Sequence, residues 1–210
     1  MAADTLEDFL RANLPVAPVP DVPEIRLHKA APDSGLNRLA EADPDFASPY
    51  WAYHWAGGLA LARHLLDHPA TVAGRTVLDL GAGGGLVAIA AARAGAARTI
   101  AAETDPYGAA ILRLNAGLNQ VAIELVEDDP TGGPPLPVDV VLVGDLFYAP
   151  DLAARVTAFL DRCLGAGQTV LVGDPWRAGL PVARLRELAR YQVCETGSRM
   201  QASGVFAFTR

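Results

Sequence analysis

Gly81, Gly83 and Gly85 stand at alternate positions directly after the apolar run Thr76-Val77-Leu78-Asp79-Leu80. Glycines in that setting turn the chain sharply and let a ligand lie against bare backbone. A carboxylate, Glu103, follows 22 residues beyond Gly81, a distance at which an acidic side chain can accept both ribose hydroxyl protons. The chemistry expected is the binding of an adenosine-bearing ligand, either a dinucleotide or S-adenosylmethionine. Counted from Gly81, the third position of the dinucleotide fingerprint is Leu86, which breaks it. Counted from Gly83, the frame Gly83, Gly85, Ala88 satisfies G-x-G-x-x-A. Gly81 already ends the strand, however, so Gly83 comes too late to make the tight turn.

Asp79, inside the strand and just ahead of the loop, points the same way. A carboxylate there suits the amino group of the methionine moiety, as in methyltransferases. The expected cofactor is S-adenosyl-L-methionine, with Asp79, Gly81, Gly83, Gly85 and Glu103 in its site. After the third strand Asp128 can accept a hydrogen bond from the adenine amino group. After the fourth comes Gly144-Asp145-Leu146-Phe147-Tyr148. Enzymes that methylate planar amides or adenine amino groups usually carry Asn/Asp-Pro-Pro-Tyr here, and both prolines are missing. A carboxylate with neighbouring aromatics suits a lysine ammonium instead, through a charge-assisted hydrogen bond and a partial aromatic cage. Asp145, Phe147 and Tyr148 are therefore the expected acceptor-side residues. Free lysine, with a pKa of about 10.4, must lose a proton before it can attack a sulfonium methyl. Desolvation and a nearby cation both favour that loss.

These residues need a scaffold that collects strand ends. From Arg75 onward, strands and helices alternate: strands at 76–80, 98–102, 123–126, 138–143 and 169–172, with helices at 85–94, 107–118, 151–164 and 181–190. Tyr191–Glu195 and Gly204–Phe208 read as a closing hairpin. Such alternation implies a Rossmann-like, doubly wound α/β sheet of seven strands, mainly parallel with an antiparallel C-terminal pair. Ligands then bind beyond the carboxyl ends of the strands, where every candidate above falls. Asp105 is expected to cap the following helix, with Pro106 in its first turn. Residues 1–70 read as a lead-in on the substrate side, with a helix near Thr5–Leu14, a proline-rich extended stretch, a strand at Glu24–His28 and a helix at Gly58–His68. Residues 71–210 form the cofactor-binding domain, and the two make one structural unit.

The chain of 210 residues is 51% hydrophobic and 20% charged, with a formal charge of −7. Such a balance describes a packed globule and argues against a nucleic-acid partner, whose phosphates demand a basic face. It leaves a cationic substrate electrostatically comfortable. No basic and apolar secretory leader and no membrane-length apolar run is evident. Cys163 and Cys194 lack metal-ligand spacing and read as reduced thilos of a cytoplasmic protein. No metal is expected, since His64 and His68 have no acidic or cysteine ligands beside them.

Taken together, the motifs resemble the electron-transfer flavoprotein β-subunit lysine methyltransferase family. The likeness lies in Pro23-Glu24-Ile25-Arg26-Leu27-His28, in Pro49-Tyr50-Trp51-Ala52-Tyr53-His54-Trp55-Ala56-Gly57-Gly58, in the cofactor loop Val77–Gly85, in Gly144–Tyr148 and in Gly173-Asp174-Pro175. It spans roughly residues 20 to 180. The resemblance implies a protein-lysine methyltransferase acting on the electron-transfer flavoprotein β-subunit. It places Trp55 against the cofactor and gives Asp145 and Tyr148 the acceptor lysine. Ala56 replaces the usual proline, and Trp176 stands where a small residue is expected. The alternatives are a methyltransferase of ribosomal protein L11 or of a small amine, an NAD-binding oxidoreductase, and a non-catalytic nucleotide-binding module.

Overall fold

The computed structural model describes residues 3–44, 46–195 and 199–210. The lead-in comprises helix α1 (Ala3–Asn13), strands β1 (Val16–Val19) and β2 (Val22–His28), helix α2 (Leu36–Ala42) and helix α3 (Ala56–Asp67). The alternating part follows as β3 (Thr76–Leu80), α4 (Leu86–Arg93), β4 (Arg98–Ala102), α5 (Pro106–Leu118), β5 (Glu124–Val126), β6 (Val140–Gly144), α6 (Pro150–Gly165) and β7 (Thr169–Asp174). Strands β8 (Leu185–Glu195) and β9 (Arg199–Phe208) close the sheet.

Seven strands pair in the order β5-β4-β3-β6-β7-β9-β8. The pairs from β5 to β7 are parallel, and β9 runs antiparallel to both β7 and β8. The last strand in sequence is thus inserted beside β7, a departure from the dinucleotide-binding order, in which six strands run 3-2-1-4-5-6. Residues Val140 to Val143 of β6 are all buried, as a strand covered on both faces requires. One face packs Val77, Val140 and Leu142 under α3 and α4, together with Val22 and Ile25 of β2. The other packs Leu78, Val141 and Val143 under Val156, Phe159 and Leu160 of α6. The lead-in packs against the alternating part: β2 and α3 contribute to the first of these cores, and Leu10 and Leu14 lie in a third cluster with Ile111 and Leu114 of α5.

Asp105 caps α5 as expected, accepting hydrogen bonds from the amides of Tyr107 (2.8 Å) and Gly108 (3.3 Å) with Pro106 in the first turn. The proline-rich stretch is extended as expected, and within it Val16–Val19 pairs antiparallel with β2 across a turn where Asp21 takes a φ of 62°. One expectation fails. The helix expected over 181–190 is instead a single helical turn at Val182–Arg184 followed by the start of β8, which pairs with β9 from Leu185 to Glu195. A bulge between Glu187 and Ala189 breaks the alternation of that strand, which hides its period from the sequence. Exposed Arg186, Glu187 and Arg190 on this edge discourage pairing with another sheet.

Candidate active site

A cleft of about 660 Å³ opens at the carboxyl ends of the central strands. Asp79 and the glycine loop form one wall, Glu103 and Asp128 another, and Asp145 with Trp55 a third.

The loop owes its shape to three residues with positive φ: Gly81 (69°), Gly83 (53°) and Gly85 (86°). At Gly84 a Cβ would stand 2.7 Å from the Trp51 carbonyl oxygen, so the approach of residues 49–52 also demands a bare backbone. Glu103 is buried and organises this region. One of its oxygens accepts from the Gly83 amide (2.7 Å), and the other from the Asp105 amide (2.8 Å) and the Tyr50 hydroxyl (2.9 Å). The carboxylate thus faces the cleft with its plane already fixed. Replacing Glu103 with alanine is expected to weaken binding of an adenosyl ligand such as S-adenosylhomocysteine by about 1–3 kcal/mol. Titration calorimetry would read this, and an unchanged affinity would remove Glu103 from the site.

Asp79 is fully buried, and its Oδ2 accepts the Ala88 amide of α4 at 2.8 Å. Burial pushes this carboxyl up to about 7; the Ala88 hydrogen bond pulls it down and the Glu103 charge adds to the rise. Only the ionised form can hold an ammonium, and ionisation is gained as pH rises through about 7. Affinity for S-adenosylhomocysteine is therefore expected to be about tenfold higher at pH 8 than at pH 6, with proton release on binding near neutrality. Calorimetry in buffers of different ionisation heat measures both, and an affinity flat across that range would contradict the role.

Asp145 sits immediately after β6 at a φ of 62° and is buried. Its Oδ1 accepts the Gly57 amide (3.1 Å) and its Oδ2 the Gly58 amide (2.6 Å), both in the first turn of α3. Oδ1 also pairs with the guanidinium of Arg177. The same guanidinium nitrogen reaches Asp174 Oδ2 at 3.1 Å, and Asp174 Oδ1 accepts the Arg177 amide at 2.7 Å. Burial raises both carboxyls, and Arg177 opposes that rise in each. Desolvation works against the Arg177 charge, but its two carboxylate partners outweigh it and raise its pKa. The backbones of α3 and β7 approach so closely here that only glycines fit at Gly57 and Gly173.

The structure gathers Trp55, Asp79, Gly81, Gly83, Glu103, Asp128, Asp145 and Tyr148 on one cleft. Tyr148 is 67% exposed and Trp55 40%, both at its mouth; the Trp55 indole donates to the Tyr50 carbonyl oxygen at 3.1 Å. Two expected residues lie elsewhere. Phe147 is 1% exposed and packs into the core under α6, so it cannot form a cage. Gly85 is the residue before α4, where a Cβ would meet Leu112 Cγ at 2.9 Å, and its task is turning and packing. Trp51 is likewise a core residue, stacked on Tyr107 with ring centroids 6.1 Å apart. The two sequence departures also leave the cleft open. Ala56 retains an amide, absent in proline, that donates to Glu195 at 3.3 Å, and Trp176 turns at a φ of 59° to lie against Phe206 and under Arg190. Arg177 and Tyr50 carried no expectation, although Arg177 also lies just past a strand's carboxyl end.

A seven-stranded sheet with a reversed last strand, a glycine loop and an acidic residue after its second parallel strand defines a class I methyltransferase. The ribosomal protein L11 methyltransferase (PrmA) family model matches residues 60–147. A ribosomal protein L11 methylase from Lactobacillus delbrueckii shares the fold, with a TM-score of 0.53 and 22% identity over 71% of this chain and 77% of that one. The electron transfer flavoprotein beta subunit lysine methyltransferase of Danio rerio is 37% identical over 200 residues, covering 90% of this chain and 76% of its own. That of Xenopus laevis is 38% identical over 183 residues, covering 84% and 74%. The chain belongs to the electron transfer flavoprotein beta subunit lysine methyltransferase family.

Proposed function

We propose that the protein transfers methyl groups from S-adenosylmethionine to lysine side chains of the electron-transfer flavoprotein β-subunit. The observation that carries this reading is the position of Asp145. Its carboxylate lies on the same cleft as the glycine loop and Glu103, beside the exposed ring of Tyr148. When bound, S-adenosylmethionine supplies a methyl carbon on a cationic sulfur, open to in-line attack by an amine. Glu103 is set to hold the ribose and Asp79 the amino group, with Asp128 at the adenine end and Trp55 over the cleft. Asp145 Oδ2 accepts one amide, and a carboxylate oxygen takes two donors, so it keeps capacity for the acceptor nitrogen. Tyr148 offers its ring to the lysine stem at the mouth. Asp145 positions the amine rather than deprotonating it, because an anion beside an ammonium favours the charged form. Alignment of the reacting atoms then supplies most of the acceleration.

Cys163 and Cys194 are both free, which supports a reducing compartment, and we place the enzyme in the cytoplasm. No helix among the described residues is long and apolar enough to cross a membrane. The family-model match over residues 60–147 favours ribosomal protein L11 as the second candidate substrate. Incubating the enzyme with methyl-labelled cofactor and each purified protein in turn, followed by peptide mapping, tests the reading. Label on lysines of the flavoprotein β-subunit is expected; label confined to L11, or none on either, would overturn it.

A further inference from the structure

The geometry points to Arg177 as a positioning residue whose guanidinium, anchored by Asp174, fixes the Asp145 carboxylate and keeps a cation beside the acceptor amine. The inference rests on the reading that Asp145 receives the lysine, and it adds a residue and an electrostatic function to that site. One guanidinium nitrogen bridges two carboxylates that leave different strands, Asp145 after β6 and Asp174 at the end of β7. These strands are parallel neighbours, with Gly144 opposite Gly173, and the Asp145 amide donates to the Gly173 carbonyl oxygen at 3.0 Å. Backbone and side chain together therefore lock the acceptor loop to the next one. Asp174 has no exposed surface, so its negative charge is available to hold Arg177 and nothing in solvent. Arg177 itself lines the cleft.

The charge count gives this arrangement a consequence. Two carboxylates and one guanidinium leave the cluster with a single negative charge. Around it stand Asp79 and Glu103 across the cleft, Arg155 of α6, His54 ahead of α3 and Tyr148 on the acceptor loop. Behind the α3 terminus, Glu195 of β8 accepts from Ala56. Without Arg177, two desolvated carboxylates would face each other, and each would make the other harder to ionise. Asp145 would need a higher pH to become an acceptor, and once both carboxylates are ionised an amine beside them would hold its own proton more tightly. Both effects move the ionisation that limits methyl transfer to higher pH. Removing the charge of Asp174 has the opposite sign, because the cluster then passes from a single negative charge to none and favours the ammonium less.

The test is the pH dependence of kcat on the flavoprotein β-subunit for wild type, Arg177→Met and Asp174→Asn, with S-adenosylhomocysteine affinity measured in parallel. Arg177→Met is expected to move the rising limb of kcat roughly one pH unit or more to the alkaline side, a loss of about tenfold on that limb. Asp174→Asn is expected to move it to the acid side. A purely structural role would lower rate, affinity and thermal stability together without displacing the limb. Limbs that stay in place, or move in the same direction, overturn the inference. If Arg177→Met does not fold, Asp174→Asn decides the question by the direction of its shift. Wild-type enzyme that methylates no lysine removes the underlying reading itself, an outcome distinct from an active enzyme with unmoved limbs.

Discussion

Asp145→Ala is expected to abolish lysine methylation while leaving the affinity for S-adenosylhomocysteine within about a few-fold of wild type. The reasoning is that the carboxylate acts chiefly on the acceptor, so its loss appears in the rate and not in cofactor binding. The structure adds a second cost. Removing the side chain strands the Gly57 and Gly58 amides and leaves Arg177 with Asp174 as its remaining carboxylate. Breaking a buried ion pair costs about 3–5 kcal/mol, and the partial exposure of Arg177 reduces this to about 2–3 kcal/mol. Asp145→Asn keeps the volume and one acceptor oxygen, and so separates the two effects. It is expected to retain most of the stability and yet lose at least about a hundredfold in kcat/KM, the scale of a lost charge-assisted contact at the reacting group. Steady-state kinetics with thermal melts measures both variants. Wild-type rates in the asparagine variant would show that Asp145 is only a cap for α3.

Gly57→Ala is expected to be among the most destabilising single substitutions in the chain. A Cβ at Gly57 would overlap the Gly173 carbonyl oxygen, stand 2.7 Å from the Gly173 carbonyl carbon, and come equally close to Asp145 Oδ2. Backbone in a central strand cannot yield as a side chain can, so α3 must move off the sheet and take the Gly57 and Gly58 donors away from Asp145. The expected loss is about 3 kcal/mol or more, net of the ~1 kcal/mol that alanine gains in a helix. For a chain of this length that lowers the melting temperature by roughly 6–12 °C. Gly117→Ala provides the contrast, because it lies in α5 with nothing within 4 Å of its Cβ position. It is expected to be neutral or stabilising by up to ~1 kcal/mol. Melting temperatures of the two variants that move together would refute the close-approach argument.

Local pattern encodes part of this site, and packing between remote residues decides the rest. The loop after β3, Glu103 after β4 and the Asp105 cap were legible because each is a local rule: an apolar run, a turn that needs positive φ, and a carboxylate at a fixed distance. The positions that misled were those where a residue's neighbours are remote. Phe147 and Tyr148 are adjacent, and nothing in their order tells which ring turns into the core and which to the cleft mouth. Trp51 and Trp55 differ in the same way, since stacking on Tyr107 in α5 claims the first. The bulge between Glu187 and Ala189 shifts the inward positions of β8, so its residues mimic a helical period. Arg177 gains its role from two carboxylates, one of them 32 residues earlier in the chain, and only the register of β6 against β7 brings that one within reach.

In the proposed complex the turn leaving β3 cradles an adenosyl group with Asp145 facing the reactive carbon. A crystal structure of the complex with S-adenosylhomocysteine tests it most directly. The expected result is ribose hydroxyls within about 3 Å of Glu103, the amino group at Asp79, and the sulfur turned toward Asp145. A complex with the ligand bound away from this cleft, or with its sulfur directed away from Asp145, would contradict the account.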